Sequence, residues 1–363
     1  MLVEIAIALA KSGFIVFLVL NLAGILGWVE RKGSALIQDR IGANRASIFG
    51  FAGAGLINTM MADPLKFATK EDVIPAGVDR LLHTLAPCVN LFPAIVVFAA
   101  IPFGDVLVVG ERVINLQVAP LNVGVLYILA MTGLGVYGVV LGGWASNNKF
   151  SLLGGIRGSA QMISYELGMG LAMVAVVMTY GTLDLQAMAR AQGHLIGGWI
   201  PAWGILYQPL AFLIFLIAGI AETKRVPFDL PEGESELVSG YFTEYSGIKY
   251  LMFFMTDFVE IGVISALATT FFFGGWQIPY LMSDGFHFPW GMSIALPQIL
   301  VALMQVGSFL VKVFLFCWFQ VLIRWSLPRY RYDQLMKLGW KGLLPLALIN
   351  ALVTAVVILA VQG

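Results

Sequence analysis

The sequence predicts an all-α membrane protein of about eight transmembrane helices, and three observations carry that prediction. Of 363 residues, 59% are apolar and only 12% charged, with a mean hydropathy of +0.88, whereas soluble domains carry about a quarter charged residues. Eight stretches hold the roughly 20 apolar residues that a bilayer core requires: about 8–29, 84–103, 122–143, 163–182, 203–221, 251–275, 294–323 and 342–362. When the segments between them are assigned alternately to two sides, one side holds 17 of the 21 Lys and Arg residues. The other holds only Lys11, Arg112 and Arg190, and Lys312 lies inside a span. The positive-inside rule puts the basic side in the cytoplasm or mitochondrial matrix and, the count being even, both termini outside. The chain reads as one polytopic domain, 1–363.

Composition removes several function classes. A net charge of +0 implies neither a nucleic-acid footprint nor a field for acidic substrates. Cys88 and Cys317 lie far apart in apolar runs, and His83, His194 and His287 are scattered. No metal, haem or iron–sulfur site follows from that spacing. Glu4 precedes the first apolar run, with no basic leader or small-residue cleavage site, so this run reads as a retained span and not a signal peptide.

In chain order, the first inner segment, 30–83, opens with ERKGSALIQDRIGANR. Its apolar middle, 48–67, contains Gly50, Gly53, Gly55, Asn58 and Asp63. A crossing there would invert every later segment, so an amphipathic helix lying in the membrane plane is expected. The first outer segment, 104–119, alternates around DVLVVGERVINLQV with Gly110 near its centre, which predicts a β-hairpin. The segment 142–159 reads as a turn-rich inner loop, with Glu166 just inside the inner end of the fourth helix.

The most distinctive stretch is the inner loop 222–249. AETKRVPFDLPEGESELVSGYFTEY holds Glu222, Asp229, Glu232, Glu234, Glu236 and Glu244 against only Lys224 and Arg225. Blocks of like charge are usually solvated or disordered. Here Pro227, Phe228, Leu230, Pro231, Leu237 and Val238 are interleaved, which disordered acidic tails lack, so a packed loop is expected. Carboxylates held together raise one another's pKa towards working pH and can then exchange protons. The last inner segment, 324–341 (RWSLPRYRYDQLMKLGWK), is basic and aromatic. It suits a membrane-surface anchor, a docking site for a soluble partner, or a contact with the acidic loop.

Ionisable residues inside spans are costly and mark function by default. Glu166 is one such residue. Asp257 and Glu260 lie three apart, on one face of the sixth helix. Lys312 in the seventh has two readings, counter-charge to one of these acids or member of a proton path.

The acidic-loop string, with ERKGSALIQDRIGANR, LNVGVLYILAMTGLGVYGVVLGGWASNNKFSLLGGIRGSAQMISYE and LPRYRYDQLMKLGWKGLLP, resembles the H-subunit family of proton-pumping NADH-quinone oxidoreductase, respiratory complex I. That family is the bacterial counterpart of subunit 1 of the mitochondrial complex, and the matches run from the first helix to the last. The resemblance implies a bacterial inner-membrane protein that works as part of this oxidoreductase and binds no cofactor itself. Quinone, ubiquinone or menaquinone, is the implied substrate, while NADH, FMN and iron–sulfur clusters belong to partner subunits. Implied partners are the other membrane subunits, the peripheral-arm subunits at the inner loops, and lipid. By motif match, Glu30, Arg31, Arg40, Arg45 and Asp63 line the quinone chamber or its entrance, and Glu222, Arg225, Phe228, Asp229 and Glu232 its floor. Glu166, Glu234, Glu236 and Glu244 belong to a proton relay, which Glu222 also joins and to which the buried charges Asp257, Glu260 and Lys312 are added.

The chain departs from the family pattern at Ala43 (usually proline), Lys224 (asparagine) and Pro231 (threonine or alanine). Helix six carries Thr256-Asp257-Phe258 in place of Ala-Glu-Tyr, and Glu260 where a neutral residue is common. These changes put the geometry of the relay through helix six in doubt. Two other readings share parts of this pattern. One is the homologous membrane subunit of a membrane-bound hydrogenase or a formate- or ferredoxin-linked complex. The other is a stand-alone ion transporter using the acids of helices four and six, though no internal inverted repeat supports it.

Overall fold

The structure, a computed structural model, describes residues 2–51, 53–109, 112–282 and 284–362. Helix α1 (Leu2–Ile37) is 36 residues long, about 54 Å at 1.5 Å per residue. It therefore outruns the roughly 30 Å hydrocarbon core, and its last turns carry Glu30 and Arg31 clear of the expected crossing. The expected in-plane helix over 48–67 is only partly helical. A wide π-type stretch, Asn58–Ala62, leads into α2 (Asp63–Thr69), and both pack between α1 and α10 (Gly247–Phe272). Glycines prevent an earlier start. At Gly55, φ is +89° and a Cβ would lie 1.9 Å from the Ala43 carbonyl oxygen, a conformation and an approach open to glycine alone.

Helix α3 (Arg80–Val97) is capped by Asp79, whose side chain accepts from the Leu81 and Leu82 amides. Strands β1 (Val106–Val109) and β2 (Arg112–Asn115) pair antiparallel in the first outer segment. The intervening turn, Gly110 included, lies outside the described residues. Helices α4 (Gly124–Ala145) and α5 (Lys149–Tyr180) follow. The expected turn-rich loop 142–159 is thus almost wholly helical, broken only at 146–148, where Asn148 caps α5. Its glycines serve close packing. A Cβ on Gly143 would lie 2.6 Å from the Ser151 carbonyl oxygen, and one on Gly154 2.7 Å from the Tyr241 amide. Glu166 consequently sits about 26 Å along α5, near mid-helix and not at its inner end.

Helix α6 (Leu185–Ala191) and the pair β3 (Leu195–Ile196) and β4 (Ile200–Pro201) cover the outer end. The expected fifth crossing, 203–221, is divided. Helix α7 (Gly204–Tyr207) stops at Gln208, whose backbone is non-helical, and α8 (Pro209–Glu222) continues for 14 residues, about 21 Å. The Gln208 side chain donates to the Thr179 and Thr354 hydroxyls and accepts from Asn350, tying the break to α5 and α13. By length and apolarity, seven helices are able to cross a membrane among the described residues, with α8 shorter than that class. The inner loop contains α9 (Glu234–Leu237), and α10 follows it. Then come a small outer sheet of β5 (Leu281–Met282), β6 (Gly285–His287) and β7 (Ser293–Ala295), and α11 (Gln298–Ser326), α12 (Tyr332–Lys337) and α13 (Leu344–Gln362).

Helix α10 is the axis of the bundle, packed against α1, α2, α3, α8 and α11. Its most apolar window is 72% buried, against 11% for α1 and α13, so its polar residues face protein while the outer helices face lipid. Charges sort to the two ends. Lys249–Asp72 and Arg157–Glu236 join segments assigned to the basic side, and Arg190–Asp105 joins segments assigned to the other.

Candidate functional site

The inner end of α1 delivers Glu30 into a cluster of guanidinium groups. Arg225 and Arg324 each donate to one of its carboxylate oxygens, and the Arg225 guanidinium lies 4.0 Å from the centroid of the Phe258 ring, a cation–π contact on a desolvated cation. The basic segment after α11 grips the acidic loop. Arg329 donates to the Asp229 carbonyl oxygen, Tyr330 stacks on Phe228 at 5.4 Å, and the Tyr330 amide donates to the Pro227 carbonyl. Of the three roles open to this segment, contact with the acidic loop is therefore realised. From α5, Gln161 donates to the carbonyls of both Ala221 and Phe228, pinning the first half of the loop at two points. Sequence reasoning missed Gln161, since nothing in the local pattern separates it from other helix glutamines.

Immediately behind this cluster lies a buried ion triad. Lys224, wholly inaccessible, places Nζ 2.8 and 3.0 Å from the two Glu260 oxygens and 3.3 Å from Asp257 Oδ1. Burial alone pulls the lysine pKa down, but Glu260 and Asp257 outweigh it and hold the ammonium above its ordinary value. The counter-charge to helix six is thus Lys224 and not Lys312. Lys312 donates to the carbonyls of Phe273, Gly275 and Gln277, where α10 ends and its last carbonyls and negative dipole end attract a cation. That is the C-terminal end of α10, about 18 Å beyond the mid-helix position of Glu260, so Lys312 does not join the acids of the triad. A signal for Lys224 existed. It departs from the family pattern together with Glu260, with complementary charge.

Further in, Glu222 at the end of α8 is 5% exposed. With Glu260, Asn90, Thr132 and apolar side chains it lines a cavity of about 20 Å³, room for one water molecule. On the far side of Thr132 stands Glu166, whose Oε1 lies 3.5 Å from the Thr132 hydroxyl. A row of ionisable groups therefore runs from Asp257 through Lys224, Glu260 and Glu222 towards Glu166.

The remaining loop acids divide by depth. Asp229 and Glu232 are half-buried beside the arginines. Desolvation pushes the Asp229 carboxyl up to about 6 against the opposing pull of Arg329 and Arg324. Desolvation, Asp257 and Asp229 raise Glu232 well above the usual carboxylate range. Glu234 and Glu236 are exposed, and the latter is held below its ordinary pKa by its hydrogen bond from Arg157 at 2.7 Å. Glu244, half-buried, accepts from Asn148 at 2.6 Å. The carboxylates are thus not gathered in one cluster, as their density in the sequence led us to expect.

A second feature opens on the lipid side. A cavity of about 340 Å³ lies between α1, α2 and α10, floored by Ala23, Gly24 and Gly27, roofed by Met60 and Phe67, and ending at Arg31 and Asp63, which form an ion pair. A Cβ on Gly24 would lie 2.7 Å from Met60 Sδ, so the glycine keeps this passage open. Arg40 and Arg45 are exposed and lie outside this lining. Among the described residues, no three His, Cys, Asp or Glu side chains group so as to hold a metal ion.

Comparison with known proteins gives a consistent result. The NADH dehydrogenase family profile matches residues 10–355. The NADH-quinone oxidoreductase H subunit numbered 1 in Geobacter metallireducens is 49% identical over 351 residues, covering 97% of this chain and 96% of its own. The H subunit numbered 2 in Geobacter sulfurreducens is 49% identical over 358 residues, covering 99% and 98%. Subunit 8 of the Rhodothermus marinus enzyme is 43% identical over 351 residues, covering 95% and 96%.

Proposed function

The chain belongs to the NADH dehydrogenase family, alongside the H subunits of NADH-quinone oxidoreductase, and from that premise we propose that it admits quinone from the membrane and couples quinone reduction to proton movement. The observation that carries this reading is the row of buried charges that runs from Arg225 and Asp257 through Lys224, Glu260 and Glu222 towards Glu166. One end, Glu30, Arg225, Asp229 and Glu232, opens on the inner face where a partner would enclose the quinone head. The other end, Glu222 and Glu166, lies among apolar helices. Electrons have no carrier in this chain, so redox energy must arrive from a partner subunit and be felt here as charge. A reduced, anionic quinone head in a low-dielectric enclosure raises the proton affinity of carboxyls near it. Asp229 and Glu232, already raised, are placed to respond first. Their protonation weakens the hold on Arg225 and, through Asp257, unbalances the Lys224 triad, passing the disturbance to Glu260 and Glu222.

The lipid-side cavity is the proposed entrance for the quinone tail, its Arg31–Asp63 end directed to the head. The exposed Arg40, Arg45 and Glu234 suit contact with the peripheral arm. In this reading α7 and α8 together complete an eighth crossing, and both termini face outside the bacterial inner membrane. High identity over nearly the whole chain to NADH-quinone oxidoreductase subunits favours this over a hydrogenase-type or stand-alone transporter role.

The test is proton uptake and NADH–quinone turnover in sealed vesicles, normalised to assembled complex. Glu222→Gln and Glu166→Gln keep shape but cannot exchange a proton. Each is expected to lower both activities together by about ten-fold or more, with electron transfer to an artificial upstream acceptor unchanged. Wild-type rate and stoichiometry in both variants would falsify the relay.

A further inference from the structure

The cavity between Glu222 and Thr132 has one lining residue that neither the sequence nor the proposed relay accounts for. Asn90 is fully inaccessible, and among the described residues neither its amide nitrogen nor its carbonyl oxygen has a hydrogen-bond partner. A buried, unpaired carboxamide is costly, and such groups are rare without a bound water or ion. Its surroundings explain why protein does not supply the partner. On α4 the residue against the Asn90 backbone is Gly138, where a Cβ would lie 2.6 Å from Asn90's Cα and Cβ, so α4 offers no side chain at that point. Across the cavity, Glu222 Oε2 is likewise buried and unpartnered among the described residues. The space left between these groups, about 20 Å³, fits a single water, which needs two to four polar partners. Asn90, Glu222, Glu260 and Thr132 supply them.

We propose that Asn90 is a positioning residue that holds an ordered water in this cavity, and that this water connects Glu222 to Glu166 by way of Thr132. The proposal rests on the relay reading above for its role, but the water site itself does not. The amide both donates and accepts, so it orients a water without taking part in proton exchange itself.

The experiment uses the assembled complex in three forms: wild type, Asn90→Leu, which keeps the branched skeleton but replaces the polar atoms by methyl groups, and Asn90→Ser, which keeps a hydroxyl and leaves space for a further water. A high-resolution map of the wild-type complex should contain a water within hydrogen-bond distance of Asn90 and Glu222. A dry cavity overturns the proposal. Quinone-reduction turnover per assembled complex should fall about ten-fold in the Leu variant and stay within about three-fold in the Ser variant, with upstream electron transfer normal in both. The slowdown in D₂O relative to H₂O should grow in the Leu variant, because the proton step becomes limiting. Wild-type turnover in the Leu variant, equal losses in Leu and Ser, or a loss with unchanged isotope effect each overturns the role. If the Leu variant fails to assemble, the map and the Ser variant decide, and collapse of the Ser variant counts against the proposal. Glu222→Gln separates the two readings. If it is impaired while Asn90→Leu is normal, the relay stands and the Asn90 role falls. If it behaves as wild type, the relay falls and the map alone decides whether the water site exists.

Discussion

The acidic loop contains two halves of similar composition and opposite fate. In 222–232, Glu222, Lys224 and Arg225 are under one-tenth exposed, Asp229 and Glu232 half-buried, and the backbone is pinned to α5 by Gln161. In 233–244, Glu234 and Glu236 stand in solvent and Glu244 is tied to the start of α5. The difference lies in the two cations, both in the first half. A buried carboxylate stays charged only with a paired, hydrogen-bonded counter-charge, which Lys224 and Arg225 supply to Asp257, Glu260 and Glu30, whereas Glu222 is buried with one oxygen unpartnered among the described residues. The second half, without an internal cation, stays where water screens its charge. Acid density in a sequence therefore marks no site by itself. The location of the counter-charges decides which buried acids are paired.

The largest expected effect breaks the buried half. Lys224→Met leaves Asp257 and Glu260 uncompensated and should cost about 3–5 kcal/mol, read as loss of assembled complex and faster thermal inactivation. Adding Glu260→Gln to it should recover much of that loss. A stable, fully assembled single variant would contradict the account of the triad.

Next is the passage beside α1. Gly24→Trp projects into a space where even a Cβ approaches Met60 Sδ to 2.7 Å. It should slow reduction of a long-tailed quinone several-fold more than that of a short-tailed analogue, and equal slowing of both would place the entrance elsewhere.

A smaller effect, conditional on pH, comes from the boundary between the halves. Asp229 has its pKa raised to about 6 from an ordinary value of about 3.9. It is therefore neutral below that pH and charged above it, and Asp229→Asn mimics the neutral form. Quinone-reduction rates of variant and wild type should converge below about pH 5 and separate as the pH rises through about 6. A constant ratio across the range would mean that Asp229 does not titrate there.

The smallest effect belongs to the exposed half. Glu236→Gln breaks a surface pair with Arg157, and such pairs contribute little. Turnover and assembly should stay close to wild type, and a loss comparable with that of Glu222→Gln would erase the distinction between the halves.

The sequence by itself determined the membrane class and the family. Each of these is a sum over many residues of a local property, apolarity or charge, or a string long enough to be matched. It also identified Glu222, Asp257 and Glu260 as residues that burial would make unusual. Only the tertiary structure decided who pairs with whom. Glu30 meets Arg324 across 294 residues, and Lys224 meets Glu260 across 36. Lys312, nominated for the acids, instead satisfies the carbonyls at the far end of α10. The glycines of 142–158 read as turns in isolation, because a missing side chain lowers helix propensity. In the fold they let α4, α5 and the loop backbone touch, and the helix continued through them sets Glu166 near the middle of α5. Long-range electrostatic partners and close packing depend on which surfaces the whole bundle brings together, and no window of sequence contains that information.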